Sequence, residues 1–381
     1  GFAAVILLGA GLLMLPIAQN KGIDVPFIDA LFTSTSAVCV TGLVAIDVAD
    51  NFNVFGQAVV AALIQIGGLG VTSVGAGLIL LARRKVTFKD RILVKEAMNL
   101  NSMGGIVRLV KSILLMTLCF EGTGVILNFI VFSQDYVPLH ALWISIFHSI
   151  IFGGLGFLVI REMLTKRRFK KFSLHTKVVL TMTVVLLTAG TVLLKATEDV
   201  SWLGAFFFST SARTAGFSTY PLGEFSSAGL FLLIILMFIG ASPGSTGGGI
   251  KTTTAFTIME SAYGMVTNKH CTAFKRRIPG ETIRKAFIVF ALALSLVCLN
   301  SYLLSVLEPQ FTFIQLLFEV VSAFGTVGLS TGITPDLGVL SKAIIILTMY
   351  IGRLGPLTVA MIWYYRPLSY ASYSEETITI G

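Results

Sequence analysis

Long apolar runs alternate with short polar ones along the whole chain, and the alternation follows a fixed order that recurs. An apolar helix is predicted at Phe2–Ala18, at roughly Ile106–Phe132, at Val178–Leu194 and at Phe287–Val306. After each comes an acidic or proline-containing turn, then a half-apolar run too short to span a bilayer, such as "PFIDALFTSTS" or "SWLGAFFFSTS". A motif of small residues follows, and a second long helix returns to a basic loop. That return helix has its own signature: "IGGLG" at 66–70, "FGGLG" at 152–156, "IGASPG" at 239–244 and "IGRLGP" at 351–356. The order predicts an all-α membrane protein of four pseudo-symmetric helix–pore loop–helix repeats around a central ion pore. The boundaries fall at 1–91, 92–171, 172–277 and 278–366, with a tail at 367–381.

The second repeat is incomplete. Ser34 and Gly67 are 33 positions apart and Ser209 and Gly240 are 31 apart, but Ser149 and Gly153, their counterparts in "FHSI" and "FGGLG", are only 4 apart. About 28 residues are therefore expected to be missing between 150 and 151.

Composition agrees with a bilayer setting. Hydrophobic residues make up 55% of the 381, charged residues 12%, and mean hydropathy is +0.87, too little charge to cover a soluble domain. The opening "GFAAVILLGAGLLMLP" has no basic n-region and reads as a spanning helix met partway, not a signal peptide. The net charge of +9 is concentrated at 82–91, 165–171 and 268–277. The acids Asp24, Asp29, Asp135, Glu198, Asp199 and Glu308 lie one apolar traverse away. By the positive-inside rule the basic loops face the cytoplasm. Their place at helix ends points to topology and membrane lipids, not to nucleic acid. Cys39, Cys119, Cys271 and Cys298 form no C-x-x-C pair, and the four histidines are scattered, so a metal-centred enzyme has no support.

The small-residue motif carries the chemistry. It reads "SAVCVTGL" from Ser36, "SARTAGF" from Ser211 and "SAFGTVGL" from Ser322. A chain that dips into a bilayer and turns back is tolerated only where it lines an aqueous path or is buried in protein. A short helix aims its partially negative C-terminal end at that path, and extended backbone beyond it presents carbonyl oxygens to a dehydrating cation. Glycine leaves a narrow passage clear. With no carboxylate in the motif, a monovalent cation is the expected guest. Close helix packing by small residues is the alternative for a single motif; three occurrences in one repeated frame favour the ion path.

A second irregularity sits in the third return helix, "FLLIILMFIGASPGSTGGGIKTTTAFTIME". Pro243, Gly244, Gly247, Gly248 and Gly249 interrupt the helix. The spacing imitates a phosphate loop, but Lys251 comes one residue late and no strand precedes it. The readings left are a plain kink and a loop obstructing the pore. Arg353, flanked by apolar sequence, is expected to meet this Gly-rich segment, since a guanidinium at that depth needs carbonyl partners. Glu121 and Glu319 are intramembrane acids read as structural braces.

Together "SAVCVTGL", "SARTAGF", "SAFGTVGL" and "ASPGSTGGGIKTTT" resemble the Trk/Ktr/HKT superfamily of potassium transporters, and most of all its bacterial Ktr-type membrane subunit. The resemblance implies filter glycines at Gly42, Gly216 and Gly328. Their neighbours Val40, Thr41, Thr214, Ala215, Thr326 and Val327 complete the filter, with K+ at the carbonyls of the three glycines. It further implies a gate at Gly244, Ser245, Thr246, Gly247, Gly248, Gly249, Lys251 and Arg353. Glycine in the first motif implies potassium permeation in preference to sodium. The expected partners are a second copy, as a homodimer, and a KtrA-like cytosolic ring of nucleotide-binding regulatory subunits. Potassium is the substrate, sodium a further ion of undefined role, and no organic cofactor is expected. An ion-coupled transporter of an organic solute, with broken helices at a midplane site, is the rival reading. A membrane enzyme with a nucleophile in "SPGST" lacks a base at suitable spacing.

Overall fold

The computed structural model describes residues 1–70, 106–134, 157–166, 168–245 and 247–363. The first unit comprises α1 (Phe2–Leu13), α2 (Phe27–Cys39), a one-turn α3 (Val48–Asn51) and α4 (Val54–Leu69). The second contributes α5 (Ile106–Phe132), which contains Glu121, and α6 (Phe157–Lys166). The third has α7 (Leu174–Thr197), α8 (Trp202–Ser211), α9 (Ser227–Phe238) and α10 (Thr252–Val266). A hairpin, β1 (Thr272–Ala273) and β2 (Arg276–Arg277), leads to the fourth unit of α11 (Gly280–Leu307), α12 (Phe313–Gly325), α13 (Val339–Leu354) and α14 (Pro356–Trp363). The junction of "FHSI" and "FGGLG" in the second repeat, the basic run at 82–91, Asp135, Thr246 and the tail lie outside the described residues.

The fold is mostly helical, as the apolar pattern requires, and α7 and α11 are each long and apolar enough to cross a bilayer. Two local expectations are corrected. Helix α1 stops at Leu13, not at Ala18, because Pro16 lacks an N–H and crowds the residue before it; Ala18 N–H closes a turn on Leu15 O at 2.8 Å. The basic run at 268–277, read as a plain loop, forms the β1–β2 hairpin with Thr272 opposite Arg277. Its Phe274 packs edge-on to Phe169 at 5.9 Å, and Lys177 sits 5.8 Å over both rings.

The first, third and fourth units each tie the end of the first helix to the start of the return helix at the acidic end. Asn53, N-cap of α4, donates to Ile17 O at 2.7 Å. Glu198, C-cap of α7, accepts from the Oγ of Ser226, N-cap of α9, at 2.5 Å. Glu308, C-cap of α11, accepts from the N–H of Gly338, N-cap of α13, at 2.7 Å. Burial raises the Glu308 pKa, but hydrogen bonds from Ser341, Gly338 and Gln310 outweigh it and hold the carboxyl below its ordinary value. A depressed acid stabilises the fold above its unfolded pKa and loses that contribution as pH falls through the folded value. Glu308→Gln is therefore expected to lower the unfolding temperature at pH 7, with the gap from wild type narrowing below about pH 4.5, as read by thermal unfolding in detergent.

The short helices sit in the middle. Helix α2 packs on α1 and α4, α8 on α7, and α12 on α11 and α13. The same serine position seats two of them. Ser34 Oγ donates to Ile6 O at 2.7 Å and Ser209 Oγ to Leu187 O at 3.0 Å. Opposite them Gly9 and Gly190 leave no room for a β-carbon, which would strike the serine Oγ and the side chain of Leu63 or Leu236. Between units, α2 packs on α13 and α9 on α12, so the fourth unit lies between the first and the third. Phe32, Phe318 and Phe324 are fully buried at these seams.

Candidate functional site

The Ser-Ala motif turns out to be the last turn of the short helix and not the loop itself; the chain leaves helical geometry only beyond it. In α2 and α12 the exit residues, Val40 and Thr326, are left-handed, with φ 54° and 47°. Thr214, at φ 73°, holds the corresponding place in the third unit. So the segment begins in a left-handed turn, where extended backbone was expected throughout. Left-handed β-branched residues are uncommon and strained, and three at one repeated position mark a constrained site. Two residues on, Gly42, Gly216 and Gly328 have φ of 94°, 77° and 97°, a region that only glycine occupies freely.

The serine of each motif holds this turn, a role its small size did not suggest. Ser36 Oγ donates to Leu43 O at 2.8 Å and accepts from Gly42 N–H at 3.1 Å. Ser322 Oγ accepts from Gly328 N–H at 3.2 Å. Ser211 Oγ donates to Phe217 O at 2.5 Å, and Gly216 N–H reaches Ser211 O at 3.1 Å, an adjustment to a motif one residue shorter. With the glycine N–H groups bound inward, the carbonyls of residues 40–42, 214–216 and 326–328 accept no hydrogen bond among the described residues.

The three glycines meet. A β-carbon on Gly42 would lie 3.5 Å from Gly328 Cα; one on Gly216 would land on Val327 O and one on Gly328 on Thr41 O. On the remaining side, a cavity of about 290 Å³ lies between the first and third units, lined by Val40, Thr41, Gly42, Thr214, Ala215 and Gly216 among others.

Beneath this convergence the return helices of the third and fourth units break and α4 ends, where the sequence pointed to the third alone. Gly70 (φ 81°, ψ 130°) ends α4 and Gly355 (φ 88°, ψ 134°) ends α13. One turn earlier, Gly67 and Gly352 press on the carbonyls of Val38 and Phe324 in the short helices, with no space for a side chain. The shared "IG" signature is thus a close backbone contact. In the third unit Gly240 presses instead on Gly248 O, within the Gly-rich loop between α9 and α10.

That loop is tied down. Gly248 N–H donates to Thr326 Oγ1 at 2.7 Å, Gly249 N–H to Phe324 O at 3.2 Å, and Lys251 Nζ to Gly247 O. Gly244, at φ 75°, is exposed; Ser245 Oγ donates to Ser242 O at 2.6 Å. The guanidinium of Arg353, expected at this loop, donates to Gly67 O at the end of α4. It stands close enough to Lys251 for the two charges to repel. Glu319 does act as a brace: it accepts from Ser330 Oγ at 2.6 Å, Thr331 N–H at 3.0 Å and Thr334 Oγ1 at 2.8 Å, fixing the segment after Gly328. Asp29, read as an acidic-end marker, is buried in an ion pair with Lys342 at 2.7 Å.

A membrane protein of repeated helix–short helix–loop–helix units, with glycine turns converging on one point and broken return helices beneath, is of the class that moves small ions. The chain belongs to the TrkH family of cation transport proteins, which it matches over residues 4–150 and 136–364. It is 37% identical over 431 aligned positions to the potassium/sodium uptake protein NtpJ of Enterococcus hirae, covering 100% of this chain and 96% of that protein. It is also 37% identical to the Ktr system potassium uptake protein B of Bacillus subtilis, covering 94% and 90%. The crystal structure of the potassium transporter TrkH from Vibrio parahaemolyticus has the same fold, with a TM-score of 0.72 at 16% identity over 96% of this chain and 84% of that one.

Proposed function

We propose that this chain is a channel-like potassium uptake protein of a bacterial plasma membrane, with its basic loops cytoplasmic. Potassium is selected by main-chain carbonyls around Gly42, Gly216 and Gly328 and gated by the loop from Gly244 to Lys251. The convergence of three left-handed glycine turns, their carbonyls free of internal hydrogen bonds, carries this reading. Carbonyls without net charge replace the hydration shell of a monovalent cation. The names of the relatives, potassium/sodium and potassium uptake proteins, support potassium as the substrate. The Ktr-system names further support a partner subunit, which we take to be a cytosolic nucleotide-binding ring beneath a homodimer.

The fourth quarter of the filter belongs to the second unit. The family match in two overlapping pieces, and 431 aligned positions against 381 residues, support a stretch absent after residue 150. The cavity between the first and third units is consistent with that fourth quarter. The test is tracer flux into proteoliposomes carrying the purified chain with this stretch restored from a relative. Rubidium, as a potassium analogue, is expected to enter down its gradient at a rate at least about tenfold above sodium, a difference of roughly 1.4 kcal/mol. Equal entry of both ions, or gradient-driven accumulation of an organic solute, overturns the reading.

A further inference from the structure

Thr326 has two attachments. Its backbone is the left-handed turn that sets the carbonyls leading to Gly328, and its side chain accepts the N–H of Gly248 from a segment 78 positions away. Both residues are fully enclosed. At the equivalent place in the third unit, Thr214 Oγ1 is buried, has no hydrogen-bond partner among the described residues and abuts Gly247. The Gly-rich loop is therefore wedged between two threonines of the filter and held by one. Its other hold on the same helix end, Gly249 N–H to Phe324 O, joins backbone to backbone.

We propose that Thr326 is the positioning residue that couples filter to gate, its hydroxyl latching Gly248 in the closed position. The proposal rests on the gate reading above and adds what the gate responds to. A filter emptied of its cation, or filled by one of the wrong size, alters the turn at Thr326 and with it the geometry of the Gly248 hydrogen bond. Binding at the filter and position of the loop are then linked, and by reciprocity each biases the other.

The test labels the loop with Ser245→Cys in a background with Cys119, Cys271 and Cys298 replaced by serine, the chain being completed in its second unit as above. The rate of modification by a cationic methanethiosulfonate is measured in potassium and in its absence. With Thr326 intact the rate is expected to depend on potassium. Thr326→Val, which keeps the β-branched shape and the left-handed turn, is expected to speed modification about tenfold and to abolish that dependence, the factor expected for loss of one buried hydrogen bond. Thr326→Ser restores both, and Thr214→Val, which has no bond to lose, changes the rate far less. A Thr326→Val protein identical to its parent, a Thr326→Ser protein as altered as Thr326→Val, or an equal effect of Thr214→Val overturns the proposal. The gate reading is judged separately, by whether the adduct at position 245 blocks rubidium flux. If it does and Thr326→Val is silent, the latch alone falls.

Discussion

Gly42→Ser is expected to yield an assembled protein whose preference for potassium over sodium falls about tenfold, a change of roughly 1.4 kcal/mol, whereas Gly216→Ser and Gly328→Ser abolish flux. All three glycines have strongly positive φ, so any side chain strains the turn, at about 1–2 kcal/mol. Space separates them. At Gly42 the added β-carbon meets only Gly328 Cα, at an ordinary 3.5 Å, and the neighbouring cavity takes the hydroxyl. At Gly216 and Gly328 it falls on the carbonyl oxygens of Val327 and Thr41. Those are backbone atoms of the proposed filter and cannot yield without moving an adjoining unit. Paired rubidium and sodium uptake, with gel filtration to report assembly, checks the ranking. A Gly42→Ser protein as discriminating as wild type, or a fully conducting Gly328→Ser protein, would count against carbonyl selection at this point.

The second large effect is expected at Lys342. Lys342→Met should lower the unfolding temperature by about 5 °C, a loss of about 3–5 kcal/mol, because it leaves the Asp29 carboxylate buried and unpaired. Each partner lies in the first turn of its helix, Asp29 in α2 and Lys342 in α13. The carboxylate is favoured there by the helix dipole, but the ammonium is not and depends on its partner. Asp29→Asn combined with Lys342→Met should recover most of the loss, since no uncompensated charge is then buried. Thermal unfolding of the four proteins gives the coupling energy directly. A double variant no better than Lys342→Met would mean that packing, not charge, joins the first and fourth units.

Much of the candidate site was legible because its parts are contiguous. "SAVCVTGL" contains the helix end, the left-handed residue and the glycine within eight positions, so one stretch records the whole turn. Partnerships were not legible. The serines looked merely small, yet their hydroxyls clamp the glycine N–H groups. The signal was the nearly constant spacing of serine to glycine, six positions in the first and last motifs and five in the middle one. Arg353 was expected to need a carbonyl, and the bond to Gly67 O was not foreseen. Gly67 O lies in the last turn of α4, which ends at Gly70 inside an apolar run, where no i+4 N–H among the described residues takes that carbonyl.

What the sequence determined by itself is the set of local elements. Apolar length makes α7 and α11 long enough to span a bilayer, Pro243 and its glycines interrupt the third return helix, and Ser-Ala ahead of a glycine marks each turn. Such features depend on neighbours in the chain, so local sterics and hydrophobic length write them into contiguous residues. Tertiary structure alone decided what those elements touch: the meeting of three glycines from distant units, the Asp29–Lys342 pair across 313 positions, and the hold of Thr326 on Gly248. A hydroxyl, a carboxylate or a bare glycine accepts many partners equally well, and which one it meets is set by the packing of whole helices.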